Sequence, residues 1–465
     1  MCIFQKNFMG ENNMGKQLLF DILSHKQCDR PGWVPFAGIH SGKLVGYSAK
    51  EVLQDEDKLV EALMAVNKIY RPDGQPIMFD LQVEAEILGC DLEWFDDTPP
   101  TVVSHPLSEA KIIPCKCKFP KEDSGRLPLI LNAMKRMKEA VGDTTALYGL
   151  VCGPFTLASH LRGTDIFLDM FDDPDYSKEL INYCKDFLIE EIKLYIKAGM
   201  DVIAVVDPLV SQISDDHFEE FLSAPYTALF DFIRSEKVFS SFFVCGDATR
   251  NIECMCKTQP DSISVDENIQ LADIRPITEK YNVVVGGNIP LTTKMLHGTQ
   301  QDNMKYTIEL QDSIENKGHN LIIAPGCDMP YAVPTENTIG VAQAVLEYDQ
   351  VKEMVKDYES TDFSKFDIKL PDYKNLPRPL LEVFTLDSAS CAACQYMMAA
   401  AMDAKAKYGD KIDVVEYKFT IKENIARCMK VGVKNLPSLY INGELKYSSI
   451  IPSIDELSAE IEKVL

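Results

Sequence analysis

No run of about 18 apolar residues occurs anywhere in this 465-residue chain, so no helix is expected to cross a bilayer. Basic charge is scarce: 47 Lys and Arg stand against 71 Asp and Glu, a formal net charge of −24. A surface of that sign repels nucleic acid and anionic lipid, and it disfavours a polyanionic substrate unless a local basic pocket receives it. Met1–Asn12 has no apolar stretch behind positive charge, so no export signal is expected, and Met14 could be the true start with 1–13 a frayed lead-in. No G-x-G-x-x-G follows any apolar run, which weakens the case for an open, doubly wound dinucleotide-binding sheet.

Cysteine is present in quantity, with 14 residues. Without an export signal the expected compartment is the reducing cytoplasm, where most cysteines stay thiols. Any one of them taken alone reads as a small buried apolar side chain. Apolar content of 46% and charged content of 25% are ordinary for a folded chain. The length suits one large domain and one small one.

Short apolar runs alternate with long amphipathic stretches. Leu180, Ile181, Cys184, Phe187, Leu188, Ile192 and Tyr195 recur at three- and four-residue steps, one face of a helix. Gly199 then supplies the left-handed residue of a helix end, and Val202–Val206 reads as a strand buried on both faces. The same rhythm gives eight strands: Trp33–Phe36, Ile77–Phe79, Ala146–Val151, Val202–Val206, Phe239–Val244, Ser262–Val265, Val283–Val285 and Leu321–Ala324. Eight strand–helix repeats predict an α/β fold of the TIM (β/α)8 type over residues 1–357.

Tyr358–Pro379, with Pro371, Pro377 and Pro379 and little periodicity, reads as a linker. From 380 to 465 the pattern restarts as β-α-β-α-β-β-α. Asn442-Gly443 marks a hairpin turn, and Ser453-Ile-Asp-Glu456 a capping box. Cys391-Ala-Ala-Cys394 falls where a helix begins. The amides and dipole of that terminus favour a thiolate on Cys391, and Cys394, one turn on, can resolve a mixed disulfide. The other reading of the pair is half a zinc site, but no second C-x-x-C completes one. Residues 381–465 resemble small thioredoxin-like proteins. The resemblance implies a cis-proline facing the two cysteines, at Pro437, while Ser390 stands where such proteins commonly carry Trp.

Barrel chemistry collects at the C-terminal ends of the strands. The first polar residues there are His40, Asp80 with Glu84, Cys152, Asp207, Cys245, Asp266, Asn288 and Cys327. Cys245 and Cys327, 82 residues apart in sequence, are expected to face one mouth. Two thiolates plus an imidazole or carboxylate make a zinc site with an open position; two inert buried thiols are the alternative. Cys115-Lys-Cys117 reads as exposed thiols in a loop, and Cys254-Met-Cys256 as structural residues of a helix.

Residues of about 15–350 resemble the uroporphyrinogen decarboxylase superfamily, in its corrinoid-dependent methyltransferase branch. The phrases that carry the likeness are Phe79-Asp-Leu-Gln-Val-Glu-Ala-Glu-Ile-Leu-Gly-Cys90, Gly153-Pro-Phe-Thr156, Val244-Cys-Gly-Asp247, Gly287-Asn-Ile-Pro290 and Gly326-Cys-Asp-Met-Pro-Tyr331. The resemblance implies zinc held by a His-x-Cys and a distant Cys; Cys245 and Cys327 match the cysteines, and Phe243 occupies the histidine position. His40 is then the favoured third ligand, with Glu84 or Asp207 as substitutes, and Asp207 and Asn288 are candidates for holding the cofactor.

The implied activity moves a methyl group between a corrinoid (cobalamin), free or borne on a partner protein, and a small thiol or similar acceptor. The Cys391/Cys394 module would act in reductive upkeep, as a methyl carrier, or as a docking fold. A thiol-disulfide oxidoreductase, or a corrinoid- or tetrapyrrole-binding protein without methyl transfer, is the alternative. The decarboxylase reaction is disfavoured: its Arg-Gln-Ala-Gly-Arg phrase is replaced by Pro35-Phe-Ala-Gly-Ile-His40.

Overall fold

The computed structural model describes residues 14–389 and 391–465. The lead-in 1–13 and Ser390 lie outside these. Its contacts divide the chain into two compact units that meet in sequence at Glu359 and Ser360.

The larger unit is built on eight parallel strands: β1 (Gly32–Trp33), β2 (Gly74–Pro76), β3 (Ala146–Cys152), β4 (Val202–Val206), β5 (Phe239–Val244), β6 (Ser262–Val265), β7 (Val284–Ile289) and β8 (Leu321–Pro325). They pair in the order β1-β8-β7-β6-β5-β4-β3-β2, a nearly closed TIM-type barrel. Asp73 spans the remaining seam. Its N–H donates to the Trp33 carbonyl at 2.9 Å, and its carboxylate accepts from the Trp33 N–H at 2.9 Å while pairing with Arg30 at 2.6 Å.

Inward side chains fill the barrel as a packed core. Val34, Phe36, Phe79, Tyr148, Leu150, Ala204, Val206, Phe243, Ile322 and Ala324 form one buried cluster. The helix expected around 180–195 is α3 of the set α1 (Val83–Leu88), α2 (Pro154–Arg162) and α3 (Pro174–Lys197). Gly199 beyond it has φ +96°.

Two strands fall earlier than the apolar pattern predicts. Pairing of the first covers Gly32–Trp33 and of the second Gly74–Pro76, not 77–79. The second contains a buried Gln75, whose amide donates to the Leu63 carbonyl at 2.8 Å and accepts from Asn67 at 3.0 Å. β7 runs on through Gly286 and Gly287, where a Cβ on Gly286 would press on Ser264 Oγ; the strands approach too closely for a side chain.

The smaller unit has a four-stranded sheet in the order β10-β9-β11-β12, with β9 (Leu380–Thr385), β10 (Asp413–Lys418), β11 (Ser438–Ile441) and β12 (Glu444–Ser448). Helices α4 (Ala392–Tyr408), α5 (Lys422–Val431) and α6 (Ile454–Glu462) complete the expected β-α-β-α-β-β-α order. Asn442 and Gly443 both take positive φ in the hairpin, and Ser453 with Glu456 closes the predicted capping box. Much of 358–379, read from sequence as a linker, lies on this unit. Lys430 donates to the Ile368 carbonyl at 2.7 Å, and Tyr373 donates to buried Glu382 at 3.1 Å. Among the described residues no helix is long and apolar enough to cross a membrane.

Candidate active site

Alternation along β5 turns Phe242 toward the helices, where it stacks on Tyr226 at 4.2 Å, and Phe243 toward the barrel axis. Two residues on from Phe243, Cys245 therefore also faces inward. Cys327, beyond the end of β8, reaches the same place. Both pack against the buried barrel cluster, in which Phe36, Phe79 and Phe243 form an aromatic floor, and their sulfurs lie 2.6 Å apart.

Two neighbouring acids off the end of β6 brace the two cysteine loops. The Gly246 N–H, next to Cys245, donates to the Asp266 carboxylate, whose other oxygen accepts from the Asn268 N–H at 2.9 Å. Glu267 accepts from the Leu291 N–H at 3.2 Å and lies against Gly326, next to Cys327, where a Cβ would overlap its Oε2. Burial pushes both carboxyls up, Asp266 to about 6 and Glu267, with Asp266's charge adding, to about 8. Glu267 is the second polar residue after its strand, not the first, and the unusual adjacency Asp266-Glu267 at a strand end is its signal in the sequence.

His40 does not join the thiols. Its Nδ1–H donates to the Tyr331 carbonyl at 3.2 Å, and its Nε2 accepts from the Tyr70 hydroxyl at 2.6 Å. Burial holds it neutral, lowering its pKa to about 4. Both nitrogens are thus committed to tying the first strand-end turn to its neighbours.

Glu84 lies in a different place, in the wall rather than the mouth. It accepts from the Cys152 N–H at 2.7 Å, and burial raises it to about 7. Glu191 on α3 sits beside it, raised by burial and by Glu84, and accepts from Tyr195 at 2.9 Å. Among the described residues no group of three His, Cys, Asp or Glu converges as a metal site.

Asp207 and Asn288 are absorbed by the scaffold. Asp207 accepts from the Phe155 N–H at 2.9 Å, the Thr156 N–H at 3.1 Å, the Thr156 hydroxyl at 2.6 Å and the Tyr226 hydroxyl, pinning the start of α2 to the end of β4. Asn288 donates to the carbonyls of Asp266 and Ile269 at 2.7 and 2.6 Å and fixes the loop that carries the two acids. Asp80 pairs with Arg126 at 2.7 Å, and Glu86 takes the same guanidinium at 2.7 Å. The buried Arg162 is likewise held by Asp169 at 2.7 Å.

In the smaller unit Cys391 is the N-cap of α4, and its sulfur accepts from the Cys394 N–H at 3.4 Å. Cys394 is buried, and burial followed by the neighbouring Cys391 raises its thiol well above the ordinary range. The Leu436–Pro437 peptide is cis. Cys115 and Cys117, expected as thiols, are paired with each other, whereas Cys254 and Cys256 are buried on a helix as predicted.

A parallel barrel with a dithiol in its mouth, followed by a thioredoxin-like unit, defines a two-domain class of α/β enzyme. The family model "Uroporphyrinogen decarboxylase (URO-D)" matches residues 14–348, and the chain belongs to that family; a thioredoxin domain model matches 381–462. The chain is 27% identical over 340 residues to the methylcobamide:CoM methyltransferase MtbA of Methanosarcina acetivorans, covering 72% of this chain and 98% of that protein. It is 24% identical over 289 residues to the uroporphyrinogen decarboxylase of a Wolbachia species, covering 59% and 80%. The solved structure of a methyltransferase from Methanosarcina mazei shares the barrel fold, with a TM-score of 0.65 at 21% identity over 72% of this chain and 99% of that one.

Proposed function

We propose that this chain transfers a methyl group from a methylated corrinoid, carried by a partner protein, to a small thiol. The observation that carries the reading is the meeting of Cys245 and Cys327 at 2.6 Å in the barrel mouth. The likeness of the barrel unit to a methylcobamide:CoM methyltransferase, over 72% of this chain and 98% of that protein, supports it.

Two soft, inward-facing sulfurs fit a thiophilic divalent ion, and Cys245 and Cys327 would hold zinc there. Their loops are fixed by Asp266 and Glu267, and among the described residues no third protein ligand converges with the two sulfurs, which leaves the remaining positions on such an ion to substrate or solvent. Bound zinc would supply a lowered pKa to an acceptor thiol, making it a thiolate at neutral pH. The acceptor sulfur then attacks the methyl carbon, a carbon–sulfur bond forms as the carbon–cobalt bond breaks, and the electron pair stays with the corrinoid. The aromatic floor of Phe36, Phe79 and Phe243 excludes water from one side of the reacting atoms and leaves the other open to the partner. The Cys391/Cys394 unit would keep thiols reduced.

Porphyrinogen decarboxylation fits less well, because the half-buried Arg126 and the buried Arg162 are ion-paired with the chain's own acids. The test is incubation of the reduced full chain with methylcobalamin and a panel of small thiols, following loss of the methylcobalamin spectrum and the thioether by mass spectrometry. Turnover is expected, falling about 100-fold or more in Cys245→Ser. Undiminished turnover in that variant, or none in the native chain with any thiol, would sink the proposal.

A further inference from the structure

The rim of the barrel mouth carries a groove of about 800 Å3, whose lining includes Lys50, Gln54, Phe95, Asp96, Asp97 and Tyr331. Its walls come from the segments that follow β1, β2 and β8, consecutive strands once Asp73 has spanned the seam. Tyr331 follows Cys327 in the same loop, so the groove opens on a loop that carries one of the two sulfurs, without including either. We infer that this groove receives the amide-bearing edge of the corrin ring while the cobalt-bound methyl group faces the dithiol. The inference deepens the methyl-transfer reading and rests on it.

The groove is built before any ligand arrives. The Ala49 N–H donates to the Asp96 carbonyl at 2.6 Å, and the Tyr331 hydroxyl donates to the Tyr47 carbonyl at 3.0 Å, which ties the three segments to one another. Its polar groups are also uncommitted. Glu51, which lines it too, is spent on the Ser48 N–H and on Lys58. By contrast, the side chains of Lys50, Gln54, Asp96 and Asp97 are exposed and make no hydrogen bond or ion pair among the described residues. Between them stand two half-buried aromatic side chains, Phe95 and Tyr331. Burial, and then the charges of Asp97, Glu51 and Asp96, raise the Tyr331 hydroxyl above its ordinary value, so these acids face that ring.

The chemistry of a corrin edge matches this lining. The ring is rimmed by primary amides with methyl groups between them. The amide N–H groups can donate to Asp96 and Asp97, an amide carbonyl can accept from Lys50, and the methyl groups can lie on Phe95 and Tyr331. Free carboxylates in excess over one ammonium repel a phosphate or a carboxylate-rich ligand. The direction is right as well. The ring lies across the cobalt–carbon bond, so when the methyl carbon points at the sulfurs the edge reaches sideways over the rim. No bond forms or breaks in the groove; it positions the methyl donor.

The test uses the full-length chain with free corrinoids as probes, by equilibrium dialysis read from corrinoid absorbance. Phe95→Ala/Asp97→Ala should bind methylcobalamin about tenfold more weakly than the native chain. Its KM for methylcobalamin should rise to match, with kcat and the KM for the thiol little changed. A second comparison reads amide recognition itself. The native chain should bind a cobinamide, whose arms are amides, at least about tenfold more tightly than a cobyrinic acid, whose arms are carboxylates. That gap should shrink in Asp96→Asn/Asp97→Asn, which changes only two exposed side chains.

Native affinity in the first variant, or a gap that the second leaves unchanged, would overturn the inference and leave methyl transfer standing. A native chain that neither binds methylcobalamin nor consumes it with any thiol would refute the reading on which the inference rests.

Discussion

Phe243 occupies the position that the family resemblance assigns to a metal-binding histidine, and the structure shows what it does instead. Its ring is fully buried, 4.9 Å from Phe36 and 5.9 Å from Phe79, in the cluster against which Cys245 and Cys327 pack. Phe243→His should therefore tighten zinc binding in a competition titration with a chromophoric chelator, while lowering Tm through the lost aromatic packing. Unchanged affinity would mean that the side chain at 243 cannot reach the ion.

Glu84 offers a pH test. Its folded pKa, about 7, lies above the ordinary value of 4.5, so the folded state holds a proton that the unfolded chain releases. Stability contributed by that proton is present below about pH 4.5 and is lost as pH rises toward 7, at up to about 1.4 kcal/mol per pH unit. Glu84→Gln keeps an acceptor for the Cys152 N–H and removes the charge. Its Tm should fall less between pH 5 and pH 7.5 than that of the native chain; parallel curves would contradict the burial-driven shift.

At this scale the sequence was legible where a residue's role follows from its place after a strand, as for Cys245 and Cys327. It was not legible where a distant partner decides. His40 is claimed by Tyr70 and by the Tyr331 carbonyl, contacts that no periodicity reveals. Glu267 acts through Gly326, on another strand's loop.

Among elements, the junction between β4 and α2 carries the clearest dependence. Asp207 is buried and accepts from two N–H groups at the start of α2 and from two hydroxyls, so its removal leaves donors without partners inside the protein. Asp207→Ala should lower stability by about 3 kcal/mol, read by urea denaturation. A cost near zero would show that α2 does not need the pin.

The cysteine loops show a different dependence. Gly326→Ala places a methyl group on the Glu267 carboxyl, which must move and take the Cys327 loop with it. The expected outcome is a folded barrel, by circular dichroism, with weakened zinc binding. Strand existence was readable from the apolar runs, but β2 was placed three residues late. Its Gln75 is polar, and only the tertiary bonds to Leu63 and Asn67 make it a strand residue.

On the scale of the whole molecule, the eight-repeat rhythm and the restart after residue 380 were enough to separate a barrel from a thioredoxin-like unit, because both folds write their order into alternating periodicities. The way residues 360–379 lie on the smaller unit was not readable. Tyr373 is held there by one buried carboxyl, and nothing in its local sequence announces that bond.

A thiolate site on Cys245 and Cys327 in the barrel mouth should bind zinc, and metal content reads this without any assay of turnover. Purified, reduced full-length protein and its Cys327→Ala variant are compared by elemental mass spectrometry after exposure to zinc and exhaustive dialysis. About one zinc ion per native chain is expected, and its loss in the variant. Zinc absent from both, or retained equally by both, would contradict it.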